Sequence, residues 1–257
     1  MGEPVRNGDA GQADESPAIQ TVQRAALILS AFTVEKPWLT LSEITARLGT
    51  SKPTAHRYTR ALRAANLLRY DPEKARYTLG PEVLALEAAA RAGLSIATTA
   101  GPHLESLVRE INQTAVLSVW NGESPVVMSC VDNTDGDIRL SVRTGSQLDP
   151  LRSAQGRVFC AFLPPGEVPG LARRLRSTPD LRALLEEVRR TGVAENTPSG
   201  HGVRVIAAPV FESDQIVAAM AVIGTLAALE GETKEQATAA LRRASRALSA
   251  ELGGATP

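Results

Sequence analysis

Residues 39–57 read LTLSEITARLGTSKPTAHR, and their punctuation spells two short helices joined by a glycine turn. Thr40 and Glu43 have the three-residue spacing of a capping box, in which each side chain satisfies the other's backbone N–H. Leu41, Ile44 and Leu48 then recur on one face, and Gly49 suits the left-handed conformation that ends a helix. Thr50 and Ser51 can cap the next helix, Pro53 is tolerated in its first turn, and Ala55, Tyr58, Thr59 and Leu62 take inward spacing.

Working outward, Val22, Ala25, Ala26, Leu29 and Phe32 predict an earlier amphipathic helix ending before Lys36-Pro37, with Trp38 plugging the turn that follows. On the other side, Leu67–Tyr70 and Arg76–Leu79, separated by Asp71-Pro72-Glu73-Lys74, predict a short hairpin. Gly80-Pro81 opens an alanine-rich helix to about Ala92, a connector to the rest of the chain.

If Ala55, Tyr58, Thr59 and Leu62 face inward, Lys52, Pro53, Arg57 and Arg60 project outward, with Ser51 and Thr54 at the helix start, where backbone donors suit phosphate. Lys74 and Arg76 fall on the hairpin. A helix of this kind fits the major groove of double-stranded DNA while the hairpin reaches the neighbouring backbone. Arg57 is the candidate for a base edge; Lys52, Arg60 and Lys74 are candidates for phosphates. Most exposed basic side chains merely solvate a helix, and it is the conjunction of capping box, glycine turn and two basic surfaces that favours DNA. His56 suits either a phosphate contact or packing beside Tyr70 or the first helix.

The totals alone hide this. The 257 residues carry 28 basic and 28 acidic side chains, a formal net charge of zero. By segment, residues 1–19 have one basic and four acidic groups, residues 20–82 ten and five, and residues 83–257 seventeen and nineteen. A small basic module thus sits between an acidic tail, expected to be disordered, and a mildly acidic body. The length suits two domains, at roughly 100–200 residues each. No run reaches the ~20 apolar residues that span a bilayer, no signal peptide is legible, and the expected location is the cytoplasm. Cys130 and Cys160 are the only cysteines and give no CxxC pair, so neither a disulfide framework nor a thiolate zinc site is expected.

The body reads as a helix through Leu104, Leu107, Val108 and Ile111, apolar strand runs at 114–120 and 125–131 around Asn121-Gly122, helices near 153–162, 167–175 and 179–191, strands at 203–211 and 215–223, and a closing helix from about Lys234 to Leu252. Helices flanking a mainly antiparallel sheet make an α+β domain. Catalytic signatures are missing: Ser153, Ser199 and Ser213 lack the G-x-S-x-G elbow, no H-E-x-x-H or Walker motif occurs, and Cys160 lies in an apolar run, so that a dyad with His201 is outweighed by packing. No cofactor or metal is expected. A winged-helix protein-interaction scaffold and a small-molecule-processing enzyme are the alternatives to a DNA-binding module.

Gln20–Ala25, Leu39–Ile44, Ser51–Arg57 and Tyr77–Gly80 together resemble the IclR family of bacterial transcriptional regulators. Gly145-Ser146 with Pro150-Leu151, Ser153-Ala154-Gln155-Gly156, and Gly202-Val203 with Ala207-Ala208-Pro209-Val210 extend the resemblance to about residues 20–252. It implies an N-terminal winged helix-turn-helix (20–82), a linker helix (83–95) and an effector-binding domain (96–254), assembled as homodimers or homotetramers on operator DNA, with the first and linker helices as candidate dimer contacts. It places the effector pocket against Ser153, Ala154, Gln155 and Gly156, where exposed backbone donors at a helix start suit an anion, and against Glu195 or Asn196, Val205, Ala221 and Ile223. Arg157 stands where the family usually has Lys. Members that bind small polar acids tend to carry Cys at the place of Val205 and Ser at those of Ala221 and Ile223, which implies a more apolar effector here, an aromatic or longer-chain acid.

Overall fold

A computed structural model describes residues 17–133, 139–200 and 202–254, and these fall into two compact units that divide after Leu86. The first unit begins with helix α1 (Pro17–Leu29), so residues 17–19 belong to a helix rather than to the expected tail, the rest of which lies outside the described residues. α1 also stops earlier than its apolar spacing predicts; Phe32 lies beyond it but is still buried.

Strand β1 (Trp38–Leu39) leads into α2 (Leu41–Leu48), Gly49 and α3 (Lys52–Ala64). The capping box is formed: Glu43 N–H donates to Thr40 Oγ1 at 3.3 Å and Thr40 N–H to Glu43 Oε2 at 2.8 Å. Gly49 takes φ 59° and ψ 35°, the left-handed conformation that ends α2. Ile28, Ile44, Ala55, Leu62, Leu68 and Tyr77 make the core. The Tyr58 hydroxyl bonds to Thr21 and Arg24, tying α3 to α1. Strands β2 (Leu68–Asp71) and β3 (Arg76–Leu79) complete an antiparallel sheet of order β1-β3-β2. Trp38 does not plug a turn. It pairs with Thr78 on the sheet edge, 40% exposed, with the Arg76 guanidinium 3.7 Å from its ring centroid.

The Lys36 ammonium lies 2.6 Å from Glu43 Oε1 and, with the Thr40 N–H and hydroxyl, lowers the carboxyl pKa from 4.5 to about 2. A depressed folded-state pKa contributes stability that is complete above pH 4.5 and lost as pH falls towards 2. Glu43→Gln should therefore melt below wild type at pH 7, the gap closing between pH 4.5 and 2; because the pair is exposed, the effect is small. Circular dichroism at stepped pH would show it, and a gap that persists at pH 2 would remove Glu43 ionisation as its cause.

Helix α4 (Glu82–Gly93) runs across the division and buries none of its side chains. The second unit continues with α5 (Ser95–Ile111), which starts well before its sequence signal because Ile96 and Ala100 extend the buried stripe beyond Pro102. A five-stranded sheet of β4 (Thr114–Trp120), β5 (Pro125–Val131), β6 (Ala194–Asn196), β7 (Val203–Glu212) and β8 (Gln215–Thr225) follows, ordered β5-β4-β8-β7-β6 and antiparallel throughout. One face packs on α5 and α9 (Gly231–Glu251) through Leu104, Leu107, Ile206, Met220 and Leu241. The other packs on α6 (Ala154–Phe162), α7 (Leu171–Ser177) and α8 (Pro179–Thr191) through Val116, Phe159, Ala207, Ala221 and Leu185. The architecture is α+β, as the alternation of periods predicts. Among the described residues no single helix is long and apolar enough to cross a membrane.

Candidate functional site

The first unit presents α3 as a basic ridge. Its inward residues are buried, while Ser51, Lys52, Pro53, Arg57 and Arg60 are exposed and Thr54 half-buried. Ser51 does not cap the helix; its hydroxyl meets that of Thr54 at 3.0 Å, so the first-turn amides keep their capacity for an anion. Lys52, Arg57 and Arg60 enter no ion pair among the described residues. On the hairpin, Lys74 is exposed and only loosely held, 3.9 Å from Asp71, whereas Arg76 is half-buried over Trp38.

Between α3 and β2 runs a groove of about 580 Å³ lined by His56, Arg60, Arg63, Arg69 and Tyr70. It gives His56 an exposed position beside Tyr70. Arg63 and Arg69 are additions to the sequence reading: Arg63 sits one helical turn beyond Arg60, its guanidinium 5.3 Å from the Tyr70 ring. Only the pairing of β2 against α3 brings Arg69 to the same wall.

In the second unit, Ser153 caps α6, accepting from Gly156 N–H at 3.0 Å and donating to Asp149 O at 2.7 Å. Ala154, Gln155 and Gly156 are buried rather than exposed, so the donors expected to be open lie against the sheet. Among the described residues the N–H groups of Ala154 and Gln155 pair with nothing. Two orphan donors at a helix start can seat an oxyanion. Arg157 turns away from that seat: its Nε donates to Leu151 O at 3.1 Å and its Nη1 to Glu195 O at 2.6 Å, clamping the loop to β6. Burial lowers its pKa.

The sheet register sorts the remaining candidates. Asn196, Val205, Ile223 and Thr114 are successive partners across β6, β7, β8 and β4, forming one row on the α6 face. Val205 at 9% and Ile223 at 8% are the most exposed of the buried residues in that face's core. Ala194, Ala207 and Ala221 form the next row; Ala221 is fully buried, and its small side chain belongs to the close approach of α6. Glu195 is the candidate that the fold turns away. It pairs with Ile206 on the α9 face, and its carboxylate meets Arg204 Nε at 2.9 Å and Lys234 Nζ at 2.5 Å. Asn196, one residue on, takes the α6 face by strand alternation.

Cys160 is fully buried and donates to Pro150 O at 3.3 Å, and burial with Asp149 nearby pushes its thiol up to about 12. That is the opposite of an activated nucleophile. His201 lies outside the described residues. Among the described residues no group of three or more His, Cys, Asp or Glu has the arrangement of a metal site.

Comparison with known proteins agrees with this division. The IclR helix-turn-helix domain matches residues 21–72, and the C-terminal domain of bacterial IclR transcriptional regulators matches residues 88–250. The glycerol operon regulatory protein of Streptomyces griseus is 29% identical over 248 residues, covering 91% of this chain and 97% of that protein. A solved IclR transcriptional regulator of Silicibacter sp. TM1040 superposes with TM-score 0.83 at 25% identity, over 92% of this chain and 98% of that one. An IclR homolog of Microbacterium hydrocarbonoxydans, solved in complex with 4-hydroxybenzoate, shares the fold at TM-score 0.69 and 20% identity, over 91% and 99% of the two chains. With matches on both units and a basic recognition ridge in the first, the chain belongs to the IclR family and is a DNA-binding transcriptional regulator.

Proposed function

We propose that this regulator binds operator DNA through α3 and its hairpin, and that a relatively apolar organic acid seated at the start of α6 modulates that binding. The observation that carries the DNA reading is the unpaired outward row Lys52, Arg57 and Arg60, continued by Lys74 and by the groove arginines Arg63 and Arg69. Ser51, Pro53 and Thr54 would bring the helix start against a phosphate, and Arg76, stacked on Trp38, would hold the hairpin in reach of the backbone. The acid's carboxylate would take the orphan Ala154 and Gln155 donors while its body lies on Val205 and Ile223, with Asn196 at the rim. The 4-hydroxybenzoate complex of a protein with this fold supports an aromatic acid as the class to try.

Val22 at 70%, Leu84 at 72% and Leu86 at 54% exposure leave apolar side chains uncovered on α1 and α4, which supports a homodimer or homotetramer joined there, in the cytoplasm with its DNA. The high pKa of Cys160 supports a regulator without catalysis.

Selection of bound DNA from a random pool with the full chain, followed by release assays with benzoate, 4-hydroxybenzoate, acetate and glycolate, tests the reading. The aromatic acids should change operator occupancy at lower concentration than the short ones. Ile223→Ser should narrow that preference by about tenfold, since a hydroxyl replaces apolar contact worth roughly 1–2 kcal/mol. Stronger action by acetate or glycolate on wild type would overturn the apolar seat.

A further inference from the structure

At the far end of β7 from the α6 seat, the last turns of α6 and α8 meet α9 around a cleft of about 150 Å³. Val205 and Phe211 are six residues apart on this strand, about 20 Å at ~3.3 Å per residue, so the cleft is separate from the seat. Its walls carry Arg189, Arg190, Arg242 and Arg246 together with Phe162 and Phe211 and, among the described residues, no carboxylate.

Arginines at helix ends ordinarily serve the last carbonyls, and two of these do: Arg189 Nε donates to Ala161 O at the end of α6, and Arg242 Nη2 to Thr191 O at 2.7 Å at the end of α8. That role uses one N–H of five on each. Arg190 is neutralised by Glu187, at 2.6 Å. Arg189, Arg242 and Arg246 have no carboxylate within 4.0 Å among the described residues, so three like charges face one concavity. Among the described residues Arg242 Nε is moreover buried with no hydrogen-bond partner, which is costly for a cationic donor. Helix capping therefore leaves the charge of the cluster unexplained, and an anion held by the accessible guanidinium N–H groups would balance it.

The wall opposite limits what that anion is. Phe162 and Phe211 stand edge to face with centroids 5.3 Å apart, beside Pro209, a surface for a flat apolar body. We infer that this cleft is a second ligand site, taking a compact organic dianion, a phosphate monoester or dicarboxylate on a single ring, with its charged head on Arg242 and Arg246 and its ring on Phe162 and Phe211.

Isothermal titration of the full chain with phenyl phosphate, phthalate and inorganic phosphate tests this. At least one of the two ring-bearing dianions should bind saturably, and inorganic phosphate at least tenfold more weakly. Arg246→Gln, at an exposed position that packing does not need, should weaken the bound ring-bearing dianion at least tenfold, and Arg242→Gln likewise. Arg109→Gln, which removes an exposed arginine from α5, should leave it unchanged. Absence of saturable binding, an affinity indifferent to Arg246→Gln, or equal loss in Arg109→Gln would overturn the site; inorganic phosphate binding as tightly as the ring compounds would overturn the role of the phenylalanines.

Discussion

Arg57→Ala should cost this protein its preference for its operator while leaving its hold on unrelated DNA nearly intact. Arg57 is exposed, enters no ion pair among the described residues and stands in the middle of the outward face of α3. Its guanidinium lies 5.9 Å from the Tyr58 ring centroid, so its removal costs the fold one weak ring contact, and alanine keeps the helix. A bidentate arginine contact with a guanine edge discriminates by about 1–3 kcal/mol, roughly ten- to a hundredfold, and twice that in free energy if two copies read a two-fold site. Lys74→Ala should behave differently. Its ammonium is 3.9 Å from Asp71 and otherwise in solvent, so it serves any phosphate equally. Affinity for all sequences should fall together, and the slope of log K against log salt should flatten by about one. Fluorescence anisotropy on selected and scrambled duplexes from 50 to 200 mM salt separates the two outcomes. Equal loss on both duplexes in Arg57→Ala would take base reading away from Arg57.

That Arg57 could be placed from sequence follows from how local its signals are. Thr40 and Glu43 are three residues apart and Gly49 is one residue, so the start and end of α2, and with them the phase of α3, are set within a short window. The strand runs at 114–120 and 125–131 were legible for a similar reason, being continuous apolar segments around a turn whose Asn121 Oδ1 accepts from the Glu123 and Ser124 N–H groups. What needed the fold was every relation between distant segments. β6 has three residues and no apolar run, so the period of two that separates Glu195 from Asn196 had nothing to anchor it; only its pairing with β7 shows which of them faces α6. Pro102 masked the first turns of α5, although a helix that packs on a sheet can absorb the one hydrogen bond a proline removes. Arg69 joins the groove through strand pairing, and the arginine cleft collects residues from α8 and α9 that are more than fifty positions apart.

The small-residue motif Ser153-Ala154-Gln155-Gly156 carries the second large effect. A Cβ on Gly156 would lie 2.4 Å from Pro150 O and 2.5 Å from Asp149 O, about 1 Å inside ordinary contact, and both neighbours are backbone. That loop cannot step aside cheaply. Asp149 Oδ1 accepts from the N–H groups of Leu151 and Arg152, Ser153 N–H donates to Asp149 O, Cys160 to Pro150 O and Arg157 Nε to Leu151 O. Relief of the clash must break part of this set or lift α6 from the alanine row beneath it. Gly156→Ala should therefore destabilise the second unit by about 3 kcal/mol, the upper end of ordinary overpacking, and lower its melting temperature by roughly 6–12 °C. The same movement would displace the Ala154 and Gln155 donors, so the response to organic acids should go with it, while operator binding by the first unit persists. Gly101→Ala is the matched control. Gly101 lies inside α5 with nothing within 4 Å of its would-be Cβ, so alanine there should stabilise by about 0.5–1 kcal/mol through helix propensity. Differential scanning calorimetry of the two variants should show shifts of opposite sign, and a Gly156→Ala transition that coincides with wild type would mean that α6 does not approach its preceding loop this closely.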